Sequence, residues 1–144
     1  MKILKFTLLA IFLPVYLIAA DTISSSDIIG HWIGRPKENT TLNLRFEGNM
    51  KLTWIVNEND ENLMIEAEYV IKKRDDIYLI KIHKFKNKPQ KYQIFKGIIK
   101  FLDKDNIKLY GENFKSEAES KYPDEFGENS IVLDRKNTQN KSYK

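Results

Sequence analysis

Hydrophobic and polar residues alternate with a period of two along most of this chain, the pattern of strands that bury one face. Leu42, Leu44 and Phe46 share a face across 40–47, opposite Thr41, Asn43 and Arg45. Met50, Leu52, Trp54 and Val56 repeat the alternation after Glu47-Gly48-Asn49. Glycine and asparagine tolerate positive φ, so these three residues predict a tight turn and a β-hairpin. Asn57 to Asn62 contains no apolar residue and reads as a polar, acidic loop. Leu63, Ile65, Ala67, Tyr69 and Ile71 then keep the period through a long arm, with Glu66 and Glu68 on its other face. A turn at 73–76 leads to a strand over 76–85, in which Tyr78, Ile80 and Ile82 alternate with Leu79, Lys81 and His83. Pro89 marks the next turn, at 87–90.

The remaining segments complete the series. A first strand runs over 28–35 and is expected to end at Pro36, which lacks the amide proton that a continuing ladder needs. The apolar stretch 91–103 is too long for one flat strand, so a bulge or break is expected at Gly97. Residues 103–106 form a turn, and Ile107 and Leu109 form a strand. The charged stretch 112–129 is a long connection or holds a short helix near 116–120, and 130–135 is the last strand. These arms predict eight or nine antiparallel strands and no amphipathic helix. Long sheets of this kind curl, and closure removes their edges, so the expected architecture is all-β: an antiparallel up-and-down meander closing into a small eight-stranded barrel over 28–136. A two-sheet sandwich with hairpin connections is the other arrangement the pattern allows.

The ends of the chain differ from this core. Lys2 and Lys5 precede an apolar run from Phe6 to Ile18, and Ala19-Ala20 closes it, which reads as a signal peptide over 1–20 cleaved before Asp21. The run is short for a transmembrane anchor and contains Pro14, so no stable membrane span is expected after cleavage. Residues 21–27 form a polar leader, and 137–144 a polar tail expected to be disordered. The chain has no cysteine, which rules out disulfides, thiolate metal sites, thiol catalysis and cysteine-linked lipid. Export to a periplasm or the exterior follows from the signal, and stability must then come from the core alone.

Charge alters the picture through its distribution. The formal charge of +4 falls to about +2 once Lys2 and Lys5 are removed. Residues 57–68 carry five acids and no base, whereas Lys81, Lys84, Lys86, Lys88, Lys91, Lys96 and Lys100 fall in a stretch without an acid. Interleaved with Phe85, Tyr92 and Phe95, the lysines offer a surface for an anionic partner such as lipid head groups, a cell-wall polymer or an acidic protein. The plain alternative is that they solubilise the sheet. Nucleic acid is not an expected partner of an exported protein.

Four segments carry a resemblance: Gly30-His31-Trp32, Leu44 to Asn49, Asn106-Ile107-Lys108-Leu109 and Leu133-Asp134-Arg135. Together they resemble the small lipocalin-like (calycin-type) domains of secreted bacterial proteins, over residues 28 to 136. The resemblance implies a lipocalin-like barrel in which Gly30 admits the chain, Trp32 closes one end and Arg135 lies across the indole. Binding would then belong to the opposite, open end. The chain departs from typical lipocalins in its shorter length, its lack of disulfides and the absence of a C-terminal helix after the barrel.

Candidate chemistry is sparse. His31 and His83 have no partner at metal spacing, no serine lies in a glycine-flanked elbow, and Glu66 with Glu68 read as the solvated face of a strand. No catalytic residue, metal or cofactor is expected, and the chain reads as a binding protein rather than an enzyme. Phe46, Met50, Trp54, Tyr69 and Tyr78 lie on or near inward faces and are the candidate lining for a small apolar ligand; in a barrel this small they can equally fill the interior. The alternative function is a protein-binding module, such as an inhibitor of a secreted or periplasmic hydrolase, acting through the loops 57–62 or 112–129.

Overall fold

The computed structural model describes residues 24–86 and 93–137. The alternating segments form eight strands: β1 (Gly30–Lys37), β2 (Thr40–Phe46), β3 (Lys51–Glu58), β4 (Glu61–Arg74), β5 (Ile77–Lys86), β6 (Ile94–Phe101), β7 (Asn106–Phe114) and β8 (Ile131–Arg135). Each pairs antiparallel with the next, and β8 returns to β1, so the sheet is a closed up-and-down barrel and not a sandwich. The expected signal peptide 1–20, the start of the expected leader, the expected turn at 87–90 and the tail from 138 lie outside the described residues.

The inward positions are the apolar ones. Trp32, Leu44, Phe46, Leu52, Tyr69, Tyr78, Ile80, Ile82, Ile99, Ile107 and Leu133 are buried in one core. Burying a side chain of this size contributes roughly 1.5–3 kcal/mol, and a chain without cysteine depends on that burial. Strand direction gives the barrel two unlike ends. The turns after β2, β4 and β6 lie at one end, with the N-terminal segment; the connections after β1, β3, β5 and β7 lie at the other.

Local chemistry shifts several expected boundaries. Pro36 does not end β1, because the β1–β2 register shifts between Gly34 and Lys37 and the ladder does not call on its missing N–H. No break occurs at Gly97: β6 runs through it in unbroken register with β5 and β7. The loop expected at 57–62 shrinks to two residues, since Asn57 pairs with Asn62 and Glu58 with Glu61. Asn59 and Asp60 both adopt positive φ (49° and 68°), as a type I′ hairpin turn requires. Residues 25–28, the end of the expected leader and the first residue of the expected strand 28–35, form a 3₁₀ turn that buries Ile28, and β1 begins at Gly30. Residues 115–130 contain neither strand nor helix, so the short helix near 116–120 is absent.

Candidate binding site at the barrel mouth

One end of the barrel is closed by side chains of the first and last strands. Gly30 adopts φ +136°, and a Cβ there would lie 2.8 Å from Arg135 Nη1, so only glycine lets the arginine cross at this point. The Arg135 guanidinium sits 4.2 Å from the centroid of the Trp32 ring. It donates to the carbonyls of Ile29 (2.9 Å), Lys104 (3.2 Å) and Asp27, and lies 3.6 Å from the Asp105 carboxylate. Trp32 is fully buried, and its Nε1 donates to Ile28 O at 2.7 Å. One cation thus ties together the chain entry, the β6–β7 turn and the last strand.

The candidate lining residues separate into three places. Phe46, Tyr69 and Tyr78 are buried in the closed half. Phe46 and Tyr69 meet edge to face at 5.0 Å, and Tyr78 reaches Trp32 through Phe101 by contacts of 5.6 and 6.2 Å. Tyr69 donates its hydroxyl to Glu47 O at 2.9 Å, and burial raises its pKa. These three fill the barrel. Met50 does not line it: the residue is 58 % exposed at φ +62°, in the turn before β3. The Met50 N–H bonds to Glu47 O at 3.2 Å, so 47–50 forms the turn and Met50 takes the left-handed position that follows it.

Trp54 is the residue that faces the open half. It is partly buried and meets Phe95 edge to face at 5.8 Å. Its Nε1 is buried and has no hydrogen-bond partner among the described residues. Beyond it along the same inward face, Val56 and Leu63 are opposed across β3 and β4, and Leu63 is 43 % exposed. They floor an open cavity of 520 Å³ whose walls add Glu58, Asn59, Glu61 and Asn62. Its size is that of a small-molecule site, commonly about 300–1,000 Å³. Glu58 and Glu61 stand directly opposite each other, a like-charge pairing that makes this rim electronegative.

The interior floor rests on glycine. Gly97 and Gly111 are paired across β6 and β7. A Cβ on Gly111 would lie 2.7 Å from both Gly97 Cα and Lys96 O, and would strike the Phe95 ring, which covers the pair. Phe95 is therefore fixed where Trp54 meets it.

The outer wall holds the remaining candidates. Lys84 bonds Glu68 at 2.8 Å, which lowers the Glu68 pKa, and Lys86 pairs with Glu66 in register. Lys81 lies 3.8 Å from Glu117, and Lys88 and Lys91 are outside the described residues. His31 Nε2 is 3.2 Å from Asn43 Oδ1, while burial, then Lys81, depress the pKa of His83. No group of three His, Asp or Glu able to hold a metal occurs among the described residues, and none of their helices is long and apolar enough to cross a membrane.

The charge stretch 112–129 concealed one further arrangement. Residues 115–130 lie against the outer face of β5 to β7, where Arg74 donates to Pro123 O (3.3 Å), Lys108 sits 5.0 Å from the Phe126 ring, and Gly127 packs on Tyr110. Beneath them the outward residues Ile94, Lys96 and Ile98 are buried. Ile94 and Ile98 flanking Lys96 on an outward face were the available signal, and an alternating strand with two apolar faces is one covered on both sides. Compared with protein-family models, with curated proteins and with solved structures, the chain matches none of them.

Proposed function

We propose that this chain is an exported lipocalin-like protein that binds a small apolar ligand at the open end of its barrel, and that it is not an enzyme. The observation that carries the reading is the open cavity against Val56 and Leu63; one inward position further into the barrel, the buried indole N–H of Trp54 has no acceptor among the described residues. An unsatisfied buried donor costs about 1–3 kcal/mol, so a ligand whose acceptor reaches past Val56 to this N–H recovers it. The ligand is thus an apolar molecule with one polar acceptor, resting on Val56 and Leu63. The protein-binding alternative relies on loops, and both of its loops are held by the barrel: one is a two-residue turn, and the other is fastened along the wall. That favours the ligand.

Native mass spectrometry of the protein purified from its own host tests this reading. A chain starting at Asp21 with a bound small molecule, lost in a Trp54→Ala, Leu63→Ser variant, is expected. A bare mass, together with no change of tryptophan fluorescence on titration with apolar acids and alcohols, overturns it.

A further inference from the structure

We propose that Lys96 and Lys81 form an oxyanion-binding site on the outer wall of the barrel, and that the carboxylate of the chain's own Glu117 occupies it. Lys96 Nζ lies 3.0 Å from Glu117 Oε1, and Lys81 Nζ lies 3.8 Å from Oε2. One ammonium is thus at hydrogen-bond distance from one carboxylate oxygen and the other at ion-pair distance from the second, an arrangement that matches the two oxygens of a carboxylate or phosphate. The Tyr122 ring sits 5.1 Å from Lys96 Nζ, His83 lies close enough to act on the Glu117 charge, and Glu112 is opposite Lys96 in register on β7.

The two sides of this contact are held differently. Lys96 and Lys81 project from paired strands, in register with each other, and the Lys96 residue is 8 % exposed. Its strand neighbours on that face, Ile94 and Ile98, are also buried. A lysine this far withdrawn from water is stabilised by a counter-charge, so this position favours an anion. Glu117 has a 59 % exposed side chain. It sits in a turn that Ser120 closes, its N–H and hydroxyl donating to Glu117 O at 3.1 and 2.7 Å. The cations belong to the rigid barrel and the anion to a segment outside the ladder. The requirement is for a negative oxygen pair, and an external one meets it once Glu117 is withdrawn. This inference is independent of the mouth.

Anion rescue of Glu117→Ala tests it, with melting temperatures measured at pH 7 in sodium acetate, sodium phosphate and sodium chloride of equal ionic strength. Acetate or phosphate in place of chloride is expected to raise the melting temperature of the variant by about 3–5 °C more than that of the wild type. The wild type corrects for the general stabilising effect of such salts. The extra rise should vanish in Lys96→Met/Glu117→Ala. A response to acetate alone assigns a carboxylate site, and one to phosphate alone a phosphate site. Equal shifts in wild type and variant, or an extra rise that survives Lys96→Met, overturn the proposal. Glu117→Ser, which also vacates the position, serves in the same series if the alanine variant does not fold.

Discussion

Arg135→Ala removes the cation that joins three parts of the closed end. The side chain is 22 % exposed, stacks at 4.2 Å from the Trp32 centroid, and makes three hydrogen bonds to main-chain carbonyls. The stack contributes about 1 kcal/mol at a partly desolvated site. The hydrogen bonds are taken at the low end of their range, because water reaches the carbonyls once the guanidinium is gone. The truncation then costs about 3 kcal/mol, which for a domain of this size lowers the melting temperature by roughly 10 °C. Thermal denaturation followed by circular dichroism measures this directly. A double-mutant cycle with Trp32→Phe isolates the stack, with an expected coupling of about 1 kcal/mol. Arg135→Lys keeps the charge but not the planar fork, and should recover less than half of the loss. A fall of less than about 3 °C in Arg135→Ala, or additive single mutants, would refute the reasoning and leave the closed end held by packing alone.

Other outcomes follow from the same geometry. Gly111→Ala should cost about 3 kcal/mol by chemical denaturation, because its Cβ meets backbone at 2.7 Å, while Gly48→Ala, whose Cβ meets only Ile29 Cδ1 at 3.7 Å, should be nearly neutral. Trp54→Phe removes the orphan N–H with some apolar area, so the melting temperature of the unliganded protein should move by less than about 3 °C while ligand affinity falls roughly tenfold. The hydrogen bond from Lys96 holds the Glu117 pKa below the usual carboxylate range. Its contribution is therefore complete above the unfolded-state pKa and is lost as pH falls through the lowered value. Hydrogen-exchange protection of residues 116–130 should drop below roughly pH 4 while that of β1 to β3 persists; parallel loss in both would contradict a local latch.

The barrel was legible because alternation is a local signal. Leu42, Leu44 and Phe46 need no information from elsewhere to declare a strand face, and eight such segments with short turns leave few ways to hide their edges. Met50 misleads for the same reason. It continues the alternation of Leu52 and Trp54, yet it takes the left-handed position after the turn, where a local preference for glycine or asparagine yields to the register of the hairpin. Pro36 and Gly97 mislead in the other direction. Each has a local reason to interrupt a strand, and each is accommodated by a neighbour: a register shift beside Pro36, and the Phe95 ring over Gly97. The contact of Lys96 with Glu117 was beyond sequence reasoning, since it joins a strand to a connection that has no periodicity of its own.

Gly97 and Gly111 also bear on how much of the barrel is left for a ligand. Two facing glycines on an inner wall would ordinarily leave a hollow, and here Phe95 lies down into it. The ring meets Trp54 edge to face at 5.8 Å, so Phe95 and Trp54 fill the barrel behind the cavity that Val56 and Leu63 line. Beneath that floor the aromatic contacts of Phe46 with Tyr69, and of Tyr78, Phe101 and Trp32, already occupy the interior. On the proposed reading a ligand rests against Val56 and Leu63 at the β3–β4 hairpin, outside the filled half of the barrel. Arg135 and Trp32 tie the half that is filled, and the proposed mouth lies at the opposite ends of the same strands.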